Sequence, residues 1–129
     1  MVEPRGLIGV GMAAQLAKRL GIPSRTTDAN LNGAGTTFAA AAAIGQFQFY
    51  VRANALSTAI GFVMPNNAEV GSEYQIFNSG AVTAEIWPPS GGTFNVNAGA
   101  TATGTSLAVG KGMFVCAITA TTFDVFLSS

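Results

Sequence analysis

From about residue 36 onward, apolar side chains recur at every second position. Residues 46–52 alternate, with Phe47, Phe49 and Val51 on one face, which is the period of a half-buried strand. Residues 57–64 predict a second strand, stopped by Pro65, Asn66 and Asn67. Residues 72–77 place Tyr74 and Ile76 on one side, and residues 81–87 place Val82, Ala84 and Ile86 inward. Asn78, Ser79 and Gly80 between them have the composition of a three-residue hairpin loop, with Gly80 at the left-handed position. The Pro88, Pro89, Ser90, Gly91, Gly92 run predicts a turn. Further strands are expected over 93–97, 101–109, 113–119 and 122–127.

About eight short strands with turn signals between them predict an all-β domain, an antiparallel β-sandwich of jelly-roll-like or immunoglobulin-like type. No fixed-period repeat is visible. The expected core comprises Tyr74, Ile76, Val82, Ile86, Leu107 and Phe114. Cys116 is expected to be buried beside Phe114 and Ile118, an inert thiol and not a reactive one.

Residues 1–33 follow a different pattern. Met12, Leu16 and Leu20 fall at i, i+4 and i+8 and form one apolar stripe on a predicted helix over 12–20. Lys18 and Arg19 suit its last turn, and Gly21 and Pro23 end it. So short a helix is marginal alone, so the stripe must pack on its own domain or on a partner. Residues 24–35, polar and glycine-bearing, are expected to be a linker. The division is therefore a helical arm over 1–33 and the β domain over 34–129.

Charge sharpens this picture. Only 9% of the 129 residues are charged, against about 25% in a typical domain, so much of the surface is expected to be covered by protein. The net charge is zero, which points to neither nucleic acid nor anionic lipid. Yet residues 1–52 hold five basic residues (Arg5, Lys18, Arg19, Arg25, Arg52) against Glu3 and Asp28, and the remainder holds Lys111 against Glu69, Glu73, Glu85 and Asp124. No apolar run approaches the roughly 18 residues of a membrane span. The apolar residues 7–14 are followed by Gln15, Lys18 and Arg19 without a small-residue cleavage site, so no signal peptide is expected.

Chemistry is sparse. The chain has no histidine and one cysteine, which removes Ser–His–Asp and Cys–His machinery and any Cys/His zinc site within one chain. Glu73 and Glu85 would face each other in the predicted hairpin, but opposed carboxylates on an exposed strand pair more often destabilise it than catalyse. A salt bridge to Arg52 or to a neighbouring subunit is the more natural expectation for them. Trp87, just before Pro88 and Pro89, is a possible surface contact, either a sugar-stacking platform or a rim residue packed at an interface. No cofactor, metal or catalytic residue is expected, and the chain is read as a structural module, not an enzyme.

Residues 61–65 (Gly-Phe-Val-Met-Pro), 71–80 (Gly-Ser-Glu-Tyr-Gln-Ile-Phe-Asn-Ser-Gly) and 86–91 (Ile-Trp-Pro-Pro-Ser-Gly) come in a recognisable order. With Phe94, the 107–110 segment and Phe114, they resemble small β-sandwich surface proteins of tailed bacteriophages: capsid decoration (cement), head-fibre and tail-fibre modules. The likeness covers residues 57–127 and departs at Met64, where a leucine is commoner. It implies a virion protein, assembled in the host cytoplasm, that binds the major capsid protein on the outer head surface, commonly as a homotrimer. It implies no nucleic-acid or membrane partner. A fibre module binding host carbohydrate is the alternative. The residues expected to dock on capsid or neighbouring subunit are Arg5, Met12, Leu16, Lys18, Arg19, Leu20 and Arg25.

Overall fold

The computed structural model describes residues 27–97 and 103–128, and the predicted helix over 12–20 lies outside them. The described residues are all-β, in two mixed sheets. The strands are β1 (Thr27–Asn32), β2 (Ala42–Ala43), β3 (Tyr50–Asn54), β4 (Gly61–Val63) and β5 (Glu73–Asn78). They continue with β6 (Ala84–Trp87), β7 (Thr93–Phe94), β8 (Thr105–Leu107), β9 (Gly112–Ala117) and β10 (Thr122–Leu127). One sheet has the order β1-β3-β5-β9-β10-β7 and the other β2-β4-β6-β8. Short 3-10 turns occupy Phe38–Ala40 and Asn95–Asn97.

The order corrects the antiparallel expectation. From β1 to β6 the chain passes alternately between the sheets, and each strand lies parallel to its neighbour two elements earlier. Thr27, Tyr50 and Gln75 are successive register partners, so the chain winds as a flattened coil with a turn of roughly two dozen residues. The turns differ in length and composition, which is why no sequence repeat accompanies them. Antiparallel pairing begins where β8 meets β6 and where β9 lies between β5 and β10.

The predicted hairpin at residues 78–80 is therefore a crossover. β5 pairs with β3 and β9, whereas β6 sits in the other sheet beside β4 and β8. Asn78, fully buried, fixes the crossing. Its Nδ2 donates to the carbonyl oxygens of Val82 and Leu107, both at 2.8 Å, and its Oδ1 accepts the Gly80 N–H at 2.9 Å. Gly80 does not have the positive φ expected of it. It passes so close to Ala55 that an added Cβ would lie 2.2 Å from the Ala55 nitrogen. Gly91 does serve a turn, with φ of 76° and the Gly92 N–H donating to the Pro89 carbonyl at 2.8 Å.

The inward faces of both sheets form one core. Tyr74, Ile76, Ile86 and Leu107 are buried there as expected, joined by Val51, Phe62, Phe94, Val115 and Phe123. Val82 is half-buried against it. Burying each such large side chain contributes roughly 1.5–3 kcal/mol before ordering costs. β9 corrects the rest of the expected core: Met113, Val115 and Ala117 point inward, so Phe114 and Cys116 face outward and are half-buried, and Ile118 is exposed. Residues 24–35, expected as a linker, include the edge strand β1, which pairs with β3.

Tyr74 ties the core to the segment before β3, since its hydroxyl donates to the Gln46 carbonyl at 2.7 Å. Burial raises its pKa above the usual 10.0; a hydrogen bond with Ser72 opposes the rise and the Glu69 charge adds to it. The folded protein thus favours neutral Tyr74, and this stability is complete below pH 10 and lost as the pH climbs through the folded value. Tyr74→Phe is expected to flatten that alkaline loss while costing about 1 kcal/mol at neutral pH for the missing bond. Urea unfolding between pH 7 and 11 measures both; an equally steep alkaline limb in the variant would assign it to other groups.

Candidate protein-binding surface

Alternation sets the outer face of the six-stranded sheet as firmly as the inner one. Tyr50, Gln75, Phe114 and Phe126 are successive register partners across β3, β5, β9 and β10, and so form one row. Arg52, Phe77 and Gly112 form the next row on one side. Glu73, Cys116 and Asp124 form the row on the other side. The middle of this face is an aromatic strip. Phe114 and Phe126 stack with centroids 6.4 Å apart at 13°, and the Arg52 guanidinium lies 5.6 Å above the Phe77 ring. Phe126 is 52% exposed and Leu127 47%. Gly112 leaves a shallow depression of about 450 Å³ among Tyr50, Phe77, Phe114 and Phe126. The strip is polar at its borders, acidic along Glu73 and Asp124 and basic at Arg52.

The outer face of the four-stranded sheet carries Glu85 and Trp87. The Trp87 ring is half-buried, with Phe38 edge-on at 6.5 Å and 83°. Gly104 lies against it so closely that a Cβ there would be 2.8 Å from Trp87 Nε1 and 2.5 Å from Glu85 Oε2. Glu85 Oε1 accepts a hydrogen bond from the Ser106 hydroxyl at 2.8 Å. Glu73 lies in the other sheet, paired with Cys116, so the expected juxtaposition of the two carboxylates is corrected along with the hairpin register. Arg52, considered as their salt-bridge partner, lies over Phe77. Among the described residues no group of three His, Cys, Asp or Glu side chains could hold a metal ion, and no helix is long and apolar enough to cross a membrane.

Large apolar side chains also stand exposed at both ends of the sheets. Leu56, 46% exposed, and Val109, 49% exposed, lie on loops at the Asn78 end. That end is drawn together by the Ala81 N–H donating to the Ala55 carbonyl and the Gly110 N–H to the Asn78 carbonyl. Val70 and Ile118 stand exposed at the opposite end, where the Gly71 N–H donates to the Ala117 carbonyl.

The docking residues expected from the sequence, Arg5, Met12, Leu16, Lys18, Arg19, Leu20 and Arg25, lie outside the described residues. Tyr50, Phe77 and Phe126 were not among the expected contacts. Their signal is in the sequence: over 113–118 both alternating sets are apolar, Met113, Val115 and Ala117 on one and Phe114, Cys116 and Ile118 on the other. Such a strand presents a second apolar face besides the one that meets the core. Comparison with protein-family models, curated proteins and solved structures finds no match to this chain.

Proposed function

We propose that the chain is a virion structural protein, a capsid decoration (cement) protein that binds the outer surface of an assembled phage head as a homotrimer. The observation that carries this reading is a surface of low charge on which Leu56, Val70, Val109 and Ile118 stand exposed. Apolar side chains exposed at both ends of so small a domain suit a module that works when covered by other proteins. The phage-like order of segments over residues 57–127 supplies the kind of assembly. In this reading the two sheets are the layers of a β-sandwich, and its Asn78 end, with Leu56 and Val109, meets the major capsid protein.

The mechanism is linkage. A protein that binds only the assembled shell stabilises it by mass action, and many weak contacts on one shell act together. Shells carrying the chain are expected to disassemble at a higher temperature than bare shells and to bind hundreds of copies. Leu56→Asp combined with Val109→Asp is expected to lower occupancy at least tenfold while the free protein keeps its β circular dichroism. A handful of copies per particle, or no change in shell stability, would sink the decoration role and favour a fibre module.

A further inference from the structure

We propose that the aromatic strip on the six-stranded sheet is covered by the chain's own segment Met12–Leu20, folded back on the sheet that follows it. Three observations on the same face converge. The first is where the segment enters. β1 is the edge strand of this sheet, and its first residue, Thr27, is the register partner of Tyr50, the end of the aromatic row. β1 runs parallel to β3 and β5, so its first residue, Thr27, lies at the end of β1 nearer the Glu73 side of that row.

The second is reach. Seven residue steps separate Leu20 from Thr27 and span up to about 23 Å when extended. Four strand spacings of about 4.8 Å separate β1 from β10, some 19 Å in all. The helix expected from the sequence over 12–20 would be about 13 Å long, with Met12, Leu16 and Leu20 about 6 Å apart. Laid across the strands, it matches the three spacings from Tyr50 to Phe126, about 14 Å.

The third is chemistry. Residues 2–25 carry Arg5, Lys18, Arg19 and Arg25 against Glu3 alone, and the strip is bordered on one side by Glu73 and Asp124. An apolar stripe flanked by cations thus meets an aromatic strip flanked by carboxylates. This assigns Met12, Leu16 and Leu20 to the chain's own sheet instead of the capsid, and it stands whether or not the protein is a virion component.

Cys116 is a built-in reporter. It is the sole thiol, it faces outward in the row beside Phe114, and it lies between Glu73 and Asp124. A segment lying on the strip shields it. The test is the rate at which a chromogenic disulfide reagent modifies Cys116 in the full chain and in Leu16→Asp, with circular dichroism confirming the fold. Modification is expected to be slow in the parent and at least tenfold faster in Leu16→Asp, at rates that do not change over a hundredfold range of protein concentration. Lys18→Glu combined with Arg19→Glu reads the same contact should Leu16→Asp lose its fold, and is expected to give a several-fold acceleration at low salt. Equal rates in parent and variants overturn the proposal. So does a parent rate that rises on dilution, which would make a second copy of the chain the cover.

Discussion

Replacing Asn78 with Ala is expected to cost about 3–4 kcal/mol and to lower the thermal midpoint by roughly 10 °C or more. The side chain is fully buried and uses both amide protons and its oxygen, on Val82, Leu107 and Gly80. Alanine would remove all three bonds from the interior, where each unmade bond costs about 1–3 kcal/mol. The losses do not simply add, because water or a small shift satisfies part of them. Asn78→Asp makes a sharper test. A carboxylate would face two carbonyl oxygens in place of the donating NH2, so the folded state favours its protonated form and raises its pKa. Stability of that variant is expected to increase as the pH falls through the raised folded value towards the ordinary aspartate range, because the folded chain there binds more protons than the unfolded one. Asn54→Ala, which removes an exposed amide bond to Asn32 of 2.8 Å, is expected to cost only about 0.5–1 kcal/mol. Urea denaturation of the three variants would measure the contrast. An Asn78→Ala cost as small as that of Asn54→Ala would mean that Asn78 does not hold the crossing.

Alternation in the sequence identified which side chains of β5 and β6 are inward, and the structure keeps them there. It did not identify their partners. Tyr74 and Ile76 on one strand and Ala84 and Ile86 on the other satisfy the same pattern whether the strands pair edge to edge or face each other across a core. The loop chemistry then misled, because Asn-Ser-Gly also suits a crossover in which the asparagine turns inward. Polar residues are expected at a loop, so a buried one there carries no signature of its own. In β9 the ambiguity was one of phase: both alternating sets are apolar, and Phe114 was the larger side chain to assign inward. The structure places Val115 inside and Phe114 on the strip, which is also why the strip could not be separated from the core by pattern alone. β1 was missed because four of its six residues, Asp28, Ala29, Asn30 and Asn32, are of types depleted in strands; its place at a sheet edge, paired on one side to β3, makes smaller demands on composition.

Two glycines that look alike in the sequence are expected to respond oppositely to asparagine. At Gly91, φ is 76° and nothing lies within 4 Å of an added Cβ. The cost there is conformational, about 1–2 kcal/mol for alanine, and asparagine, which tolerates the left-handed region, should cost less. Gly80 has ordinary φ but no room: a Cβ would meet the Ala55 nitrogen at 2.2 Å and the Ala55 oxygen at 2.3 Å. Both atoms are backbone, and Ala55 is itself fully buried and hydrogen-bonded to Ala81, so neither can give way cheaply. Gly80→Ala is therefore expected to cost about 3 kcal/mol or more, in the upper range for forcing extra atoms into a packed interior. Gly80→Asn should be worse still, because its longer side chain starts from the same obstructed Cβ. A hairpin with Gly80 in the left-handed position would give the reverse order, with asparagine milder than alanine. Urea midpoints of the four variants separate the two architectures without further structure determination: asparagine milder than alanine at residue 80 would restore the hairpin and remove the crossover.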